Sequence, residues 1–284
     1  MSVATDELVA FIIDNLPHAL LVVLVLFLAA VMAKDLLRGL RRPFLHPSQW
    51  KPLQLVDKKH LTHNTRRFRF VLPHEDQQLG LPVGQHITLK ATLPDGTTVM
   101  RPYTPTSEGY QRGYVDFVIK IYPQGRMTQA MDALEIGDSL HFKGPKGSFN
   151  YLPRSKKAYG MLAGGTGITP MYQLMQAILK DPNDPTSVSL IFANVSEDDI
   201  LLRDEIEAMV KRNPDRLHVH YVLNEAGPQW EGGRGFITQE MIKEYLPAPG
   251  DDVMVLRCGP APMMKAMEGH LSGLGYTSAQ QFQF

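Results

Sequence analysis

At 284 residues the chain is long enough for about two domains of ordinary size, and 44% apolar residues can fill two buried cores. Lys and Arg total 29 and so do Asp and Glu, which leaves no net charge to recommend a nucleic-acid partner. The single cysteine, Cys258, excludes an internal disulfide and any cysteine-built zinc or iron–sulfur site; no metal site is expected and a reducing compartment fits best.

Residues 16–33 run without a charged side chain, and 19–33 are wholly apolar. That length is near the lower limit of the ~17–25 residues a membrane-spanning helix needs. A cleaved signal peptide and a buried core helix compete with a span. Signal peptides open with positive charge, whereas Asp6, Glu7 and Asp14 precede this run. Lys34, Arg38, Arg41 and Arg42 follow it, so the positive-inside bias leaves the rest of the chain on the cytoplasmic side. An all-round apolar helix beside a basic cluster also suits a membrane surface better than a core. The expectation is a lipid-embedded anchor helix with its basic flank over 1–42, carrying a cytosolic body.

Residues 43–52, rich in Pro and basic residues, read as a linker. Over 53–150 the apolar residues alternate: Phe68, Phe70, Leu72; Ile87, Leu89, Ala91, Leu93; Val115, Phe117, Ile119, Ile121. Turn signals such as Pro94-Asp95-Gly96 and Gly144-Pro145-Lys146-Gly147 separate the runs, so an antiparallel β-barrel with one short helix at 127–134 is expected. Residues 151–157 read as a hinge. From 158 to 284 strand and helix alternate, the signature of an α/β domain with a parallel sheet. Strands are expected at 158–163, 187–193, 217–222 and 253–258, with helices near 169–179, 202–211, 238–245 and 261–271.

Four short motifs carry chemistry. Arg101-Pro102-Tyr103-Thr104 sets a cation, a rigid proline, a ring and a hydroxyl along one extended segment, the groups a flavin dinucleotide needs; alone, such a triplet is also an ordinary edge strand. Gly125-Arg126-Met127-Thr128 offers a turn into a helix where a diphosphate can meet backbone N–H groups, or a plain helix start. Gly164-Gly165-Thr166-Gly167-Ile168-Thr169-Pro170 lies between an apolar strand and a helical pattern. Such a turn admits a pyrophosphate, but it lacks the third glycine of the strict dinucleotide fingerprint, and a turn without a ligand reads equally well. Cys258-Gly259-Pro260, with Met263 after it, closes a strand at the edge where open parallel sheets bind ligands. A lone cysteine there is otherwise a small core hydrophobe.

In this order the motifs resemble the NADH–cytochrome b5 reductase family, within the ferredoxin-reductase-like flavoproteins, over residues 53–284. The resemblance implies FAD and NADH as cofactors and cytochrome b5, a haem protein, as acceptor. It places Arg101, Pro102, Tyr103 and Thr104 on the flavin, with Tyr103 against the ring system and Thr104 near its reactive nitrogen. His86 would bond around the ribityl chain. Val118, Ile119 and Lys120 would contact flavin, Lys120 also attracting the NADH diphosphate. Gly125, Met127 and Thr128 match the flavin diphosphate turn, with Arg126 where many relatives have lysine. Gly164, Gly165, Thr166, Gly167, Thr169 and Pro170 match a segment shared by both cofactors, and Cys258, Gly259, Pro260 and Met263 the nicotinamide side. Thr104, His86, Lys120 and Cys258 are the candidate catalytic groups. Asn224 stands where many relatives carry an acid for the adenosine ribose; with no arginine beside it, NADH remains the favoured nucleotide.

The implied activity is electron transfer from NADH through FAD to cytochrome b5, at the endoplasmic reticulum or mitochondrial outer membrane. The same module also resembles the C-terminal part of nitrate reductases, so a different acceptor stays open. A flavin-free anchored NAD-binding scaffold is the rival outside enzymes, and the alignment of Arg101, Tyr103 and Thr104 speaks against it.

Overall fold

The computed structural model describes residues 11, 20–32 and 42–284, and the chain divides into two compact units, Met1–Arg42 and Pro43–Phe284. In the first unit residues 20–32 are helical, and large apolar side chains such as Leu20, Phe27 and Met32 are exposed. The expected anchor, 16–33, lies partly outside the described residues. Among the described residues no helix is long and apolar enough to cross a membrane.

The second unit opens with six antiparallel strands, β1 (Lys51–Thr62), β2 (Thr65–Val71), β3 (His86–Thr92), β4 (Thr98–Tyr103), β5 (Tyr114–Lys120) and β6 (Ser139–Lys146), in the order β4-β3-β6-β1-β2-β5. Alternation sends Phe68 and Phe70 inward while Arg67 and Arg69 face out. Phe70 meets Phe142 and Phe117 edge-on, with centroids 5.1 and 6.2 Å apart, at the centre of the core. The sheet curls until its edge strands meet. Tyr103 of β4 stands 6.5 Å from Phe117 of β5, and the Thr106 N–H donates to the Asp116 carbonyl at 2.9 Å.

The short helix α1 (Arg126–Asp132) packs Met127 and Met131 into this core. Its C-terminal end is fixed by cations, as the helix dipole favours. Arg66 Nε donates to Asp132 Oδ1 at 3.1 Å and Lys58 Nζ to the Leu134 carbonyl at 3.1 Å. Two expectations need correction here. Residues 43–52 are not a free linker: Phe44 and Leu45 are buried in the barrel core, and Lys51 and Pro52 pair with β6, because two large apolar side chains amid the prolines find a cavity to fill. The Gly144-Pro145-Lys146 turn signal lies inside β6, beside a register shift against β3 where the N–H that proline lacks is not needed.

The α/β domain runs β7 (Ala158–Gly164), α2 (Ile168–Lys180), β8 (Ser187–Asn194), α3 (Arg203–Arg212), β9 (Leu217–Leu223), β10 (Gly233–Arg234), α4 (Gln239–Tyr245), β11 (Val253–Cys258), α5 (Ala261–Gly273) and β12 (Gln281–Gln283). Its strands are parallel in the order β10-β9-β8-β7-β11-β12. β7 is buried at every residue, as a central strand covered on both faces must be. β10 and β12 were not expected, being too short to show a period. The order reverses at β7, with β8 on one side and β11 on the other, so the C-terminal ends of β7 and β11 open a crevice. The expected hinge is fastened down, the Lys157 N–H donating to the Asp252 carbonyl at 2.8 Å.

Polar and aromatic contacts join barrel to α/β domain. Lys120 Nζ lies 2.5 Å from Asp199 Oδ1, and Asn64 Nδ2 donates to the same oxygen at 3.3 Å. The Gly84 N–H donates to Gln173 Oε1 at 2.8 Å, and Phe149 packs 4.9 Å from Phe282.

Candidate active site

A cleft of about 1350 Å³ lies between the barrel and the C-terminal ends of β7, β8 and β11. Every residue singled out from the sequence lines it: His86 on β3; Arg101, Pro102, Tyr103 and Thr104 at the end of β4; Val118, Ile119 and Lys120 on β5; Gly125, Met127 and Thr128; Gly164 to Gly167, Thr169 and Pro170; Asn224; and Cys258, Gly259, Pro260 and Met263. Volumes of ~300–1,000 Å³ suffice for one small ligand. This cleft is larger.

On the barrel wall Arg101 is exposed, with one nitrogen donating to the Met100 carbonyl at 2.8 Å. Burial pushes the Tyr103 phenol up to about 12, so it stays neutral. His86 is lowered by burial and then by Lys146, which keeps it neutral at pH 7. The turn before α1 explains its own sequence. Thr128 Oγ1 accepts from the Tyr122 N–H at 3.1 Å and donates to the Gly125 carbonyl at 3.0 Å, while a Cβ on Gly125 would stand 2.4 Å from that hydroxyl. Thr128 thus shapes the turn, and Met127 is a core residue. Lys120 differs from expectation in one respect: its charge is already compensated by Asp199. Burial alone would push the Asp199 carboxyl up, but hydrogen bonds from Lys120, Ser196 and Asn64 outweigh it and hold the carboxyl at about 2.

On the α/β wall two strand-end loops cross at contact distance. A Cβ on Gly167 would lie 2.0 Å from the Cys258 carbonyl oxygen, and one on Gly164 would lie 2.5 Å from Met263 Sδ. These glycines permit loop to meet loop. Gly165 has φ +53 and open space where its Cβ would be, so it serves the turn's left-handed conformation and leaves room beside the backbone. Burial raises the Cys258 thiol to about 11, so it stays protonated. Sequence reasoning placed Arg126 in the diphosphate turn without giving it a role, and it missed Tyr122, Gln124, Val195, Phe236, His270 and Phe284 as lining residues, and also Asn194. Asn194 was legible: it directly follows the expected strand 187–193, at the sheet edge where ligands bind.

Two dinucleotides fit this lining. Arg101, Lys120 and Arg126 line the cleft together with His86 and His270, and among the described residues no Asp or Glu side chain does, which suits anionic diphosphates. Asn194, 6% exposed, has neither amide atom hydrogen-bonded among the described residues. Leaving such a group unpaired costs about 1–3 kcal/mol, a deficit that a ligand with polar edges relieves.

A curled antiparallel barrel and a parallel sheet, with a cleft free of Asp and Glu side chains among the described residues at the point where the strand order reverses, have the form of a two-domain dinucleotide-binding protein. The family described as oxidoreductase FAD-binding domain matches residues 52–151, and that described as oxidoreductase NAD-binding domain matches 161–269. NADH-cytochrome b5 reductase 1 of Dictyostelium discoideum is 50% identical over 240 residues, covering 84% of this chain and 83% of that protein. The Arabidopsis thaliana NADH–cytochrome b5 reductase 1 is 48% identical over 244 residues, covering 86% and 87%. The cytochrome b5 reductase domain of Ulva prolifera nitrate reductase superposes with a TM-score of 0.82 at 38% identity, covering 86% of this chain and all of that one. The chain belongs to the NADH–cytochrome b5 reductase family, and it is an NADH-dependent oxidoreductase that uses FAD.

Proposed function

We propose that the protein carries electrons from NADH to cytochrome b5 while attached to a cytosol-facing membrane, of the endoplasmic reticulum or the mitochondrial outer envelope, by its N-terminal apolar segment. The cleft between the two domains, lined by Arg101, Lys120 and Arg126 and by no Asp or Glu side chain among the described residues, carries the reading of the chemistry. Bound FAD would accept a hydride from NADH and release electrons singly, the conversion a one-electron haem acceptor requires. The protein's own part is positioning. Arg101 would hold a phosphate, Tyr103 would lie against the flavin rings, and Thr104 would offer a hydroxyl beside them; neutral His86 would bond the ribityl chain. The protonated Cys258 thiol would set the nicotinamide's place and move no proton, since hydride transfer needs none from it. Membrane attachment is supported by the exposed apolar helix at 20–32 and by the cations Lys34, Arg38, Arg41 and Arg42 that follow the run. Stopped-flow mixing of the NADH-reduced protein with cytochrome b5 tests the acceptor. Haem reduction as fast as turnover is expected; haem left oxidised while ferricyanide is reduced would point to another acceptor.

A further inference from the structure

We propose that the outer face of the barrel around Trp50, Lys90 and Lys143 rests on the anionic headgroups of a lipid surface, a reading that builds on the membrane attachment proposed above. Lys90 is the register partner of Met100 on β4 and of His141 on β6, and His141 in turn faces Pro52 on β1. All four point outward, because their neighbours Leu89, Val99, Leu140, Phe142 and Leu53 are buried. Lys143 stands on the same face. Trp50 lies against it, with Lys143 Nζ 4.4 Å and Lys90 Nζ 4.8 Å from the ring centroid.

Charge identifies the occupant. β3, β4 and β6 contain no carboxylate. The acids nearest along the chain, Asp95 and Asp138, lie beyond the strand ends, and Asp95 is paired with Arg126 at 3.3 Å. Two ammonium groups gathered on one indole repel each other, and neither has a carboxylate partner among the described residues. Anionic headgroups supply one, while Trp and long lysine stems favour the boundary between water and lipid. Connectivity points to the same surface. The Gly144 N–H, next to Lys143, donates to the His46 carbonyl at 3.3 Å, and Phe44 is seated in the core, so the chain enters the body beside this face. Only residues 34–42 separate Pro43 from the apolar run, a reach of about 30 Å at full extension.

The test uses the full chain with Trp230→Phe, which leaves Trp50 as the one indole of two. It is reconstituted into vesicles of phosphatidylcholine alone, or mixed with phosphatidylserine, carrying a spin-labelled headgroup. Trp50 fluorescence should be quenched more strongly in the phosphatidylserine vesicles, and this excess should fall as salt screens the surface. K90Q/K143Q should abolish the excess while flavin content and flotation with both vesicles persist. A chain that floats with neither vesicle would overturn the attachment and this proposal with it. Flotation with both but quenching indifferent to phosphatidylserine and to the lysines would overturn the lipid contact alone. Should K90Q/K143Q instead raise KM for an acidic haem protein and leave quenching unchanged, the face would belong to a protein partner and the lipid assignment would fall.

Discussion

The two walls of the cleft are built from different chemistry. The barrel wall carries cationic side chains, Arg101 together with Lys120 and Arg126, which are ion-paired with Asp199 and Asp95, whereas the α/β wall presents loop backbone, the amides of Asn194 and Asn224, and a protonated thiol, with no lysine or arginine among its lining residues. Hydrogen bonds to charged groups are worth about 1.5–3 kcal/mol and neutral ones about 0.5–1.5. A wall of the first kind suits a group that stays bound through many turnovers. One of the second kind suits a group exchanged at every turnover. The matches to an FAD-binding family on the barrel and an NAD-binding family on the α/β domain divide the chain the same way.

Gly167→Ala should separate the walls most sharply. The new Cβ would meet the Cys258 carbonyl oxygen at 2.0 Å, and backbone on both sides of the contact cannot yield as a flexible side chain would. The loops must part, and a displacement of about 1 Å at a reacting group costs on the order of 100-fold in rate. Anaerobic flavin reduction by NADH should slow by about that factor while flavin content stays at the wild-type level. Simultaneous loss of flavin would show that the walls do not act separately.

Arg101→Ala attacks the opposite wall. Loss of a charge-assisted hydrogen bond worth about 1.5–3 kcal/mol predicts roughly 10–150-fold weaker flavin retention. Flavin content after dialysis, with excess FAD restoring activity, reads the effect directly. The KM for NADH should change little. A retained flavin with a greatly raised KM would move Arg101 to the other cofactor.

The joint between the walls depends on the Lys120–Asp199 pair. Asp199 sits at about 2, below its ordinary value of 3.8, so its stabilisation is complete above pH 3.8 and is lost as pH falls through 2. A shift of this size is worth about 2 kcal/mol. Asp199→Asn should lower stability by about that amount at pH 7, and also leaves Lys120 without its partner in a mostly buried position. Denaturant melts at several pH values should show the gap between variant and wild type closing as pH drops from 4 toward 2. A gap independent of pH would mean that packing, and not charge, accounts for the loss.

Periods of two and of 3.6 residues made both domains legible, since alternation at Phe68 and Phe70 or the run at 158–163 is written locally. Contacts between distant residues were not. Nothing near Lys120 marks Asp199 as its partner, and nothing near Gly167 states that Cys258 will cross it, so the packing role of two glycines in this loop was not legible. Phe44 and Leu45 were hidden by prolines and basic neighbours that suggested a linker. That these residues would line one cleft was nonetheless readable, because strand ends and motif order survive without knowledge of which atoms meet.

Asn224→Asp should give the smallest effect and tests the α/β wall where it departs from many relatives. Asn224 lines the cleft, and its backbone N–H donates to the Asn194 carbonyl at 3.1 Å, which fixes the position from which the side chain acts. A carboxylate there would accept hydrogen bonds from ribose hydroxyls and face the extra phosphate of NADPH as a like charge. At a solvent-exposed site such repulsion is about 1 kcal/mol per charge pair, so the ratio of kcat/KM for NADH over NADPH should rise roughly 5–10-fold. The change should come chiefly from poorer use of NADPH, with flavin content unaltered because the barrel wall is untouched. A ratio that stays fixed would show that Asn224 does not face the adenosine ribose, and that selection between the nucleotides is made elsewhere along the ends of β8 and β9.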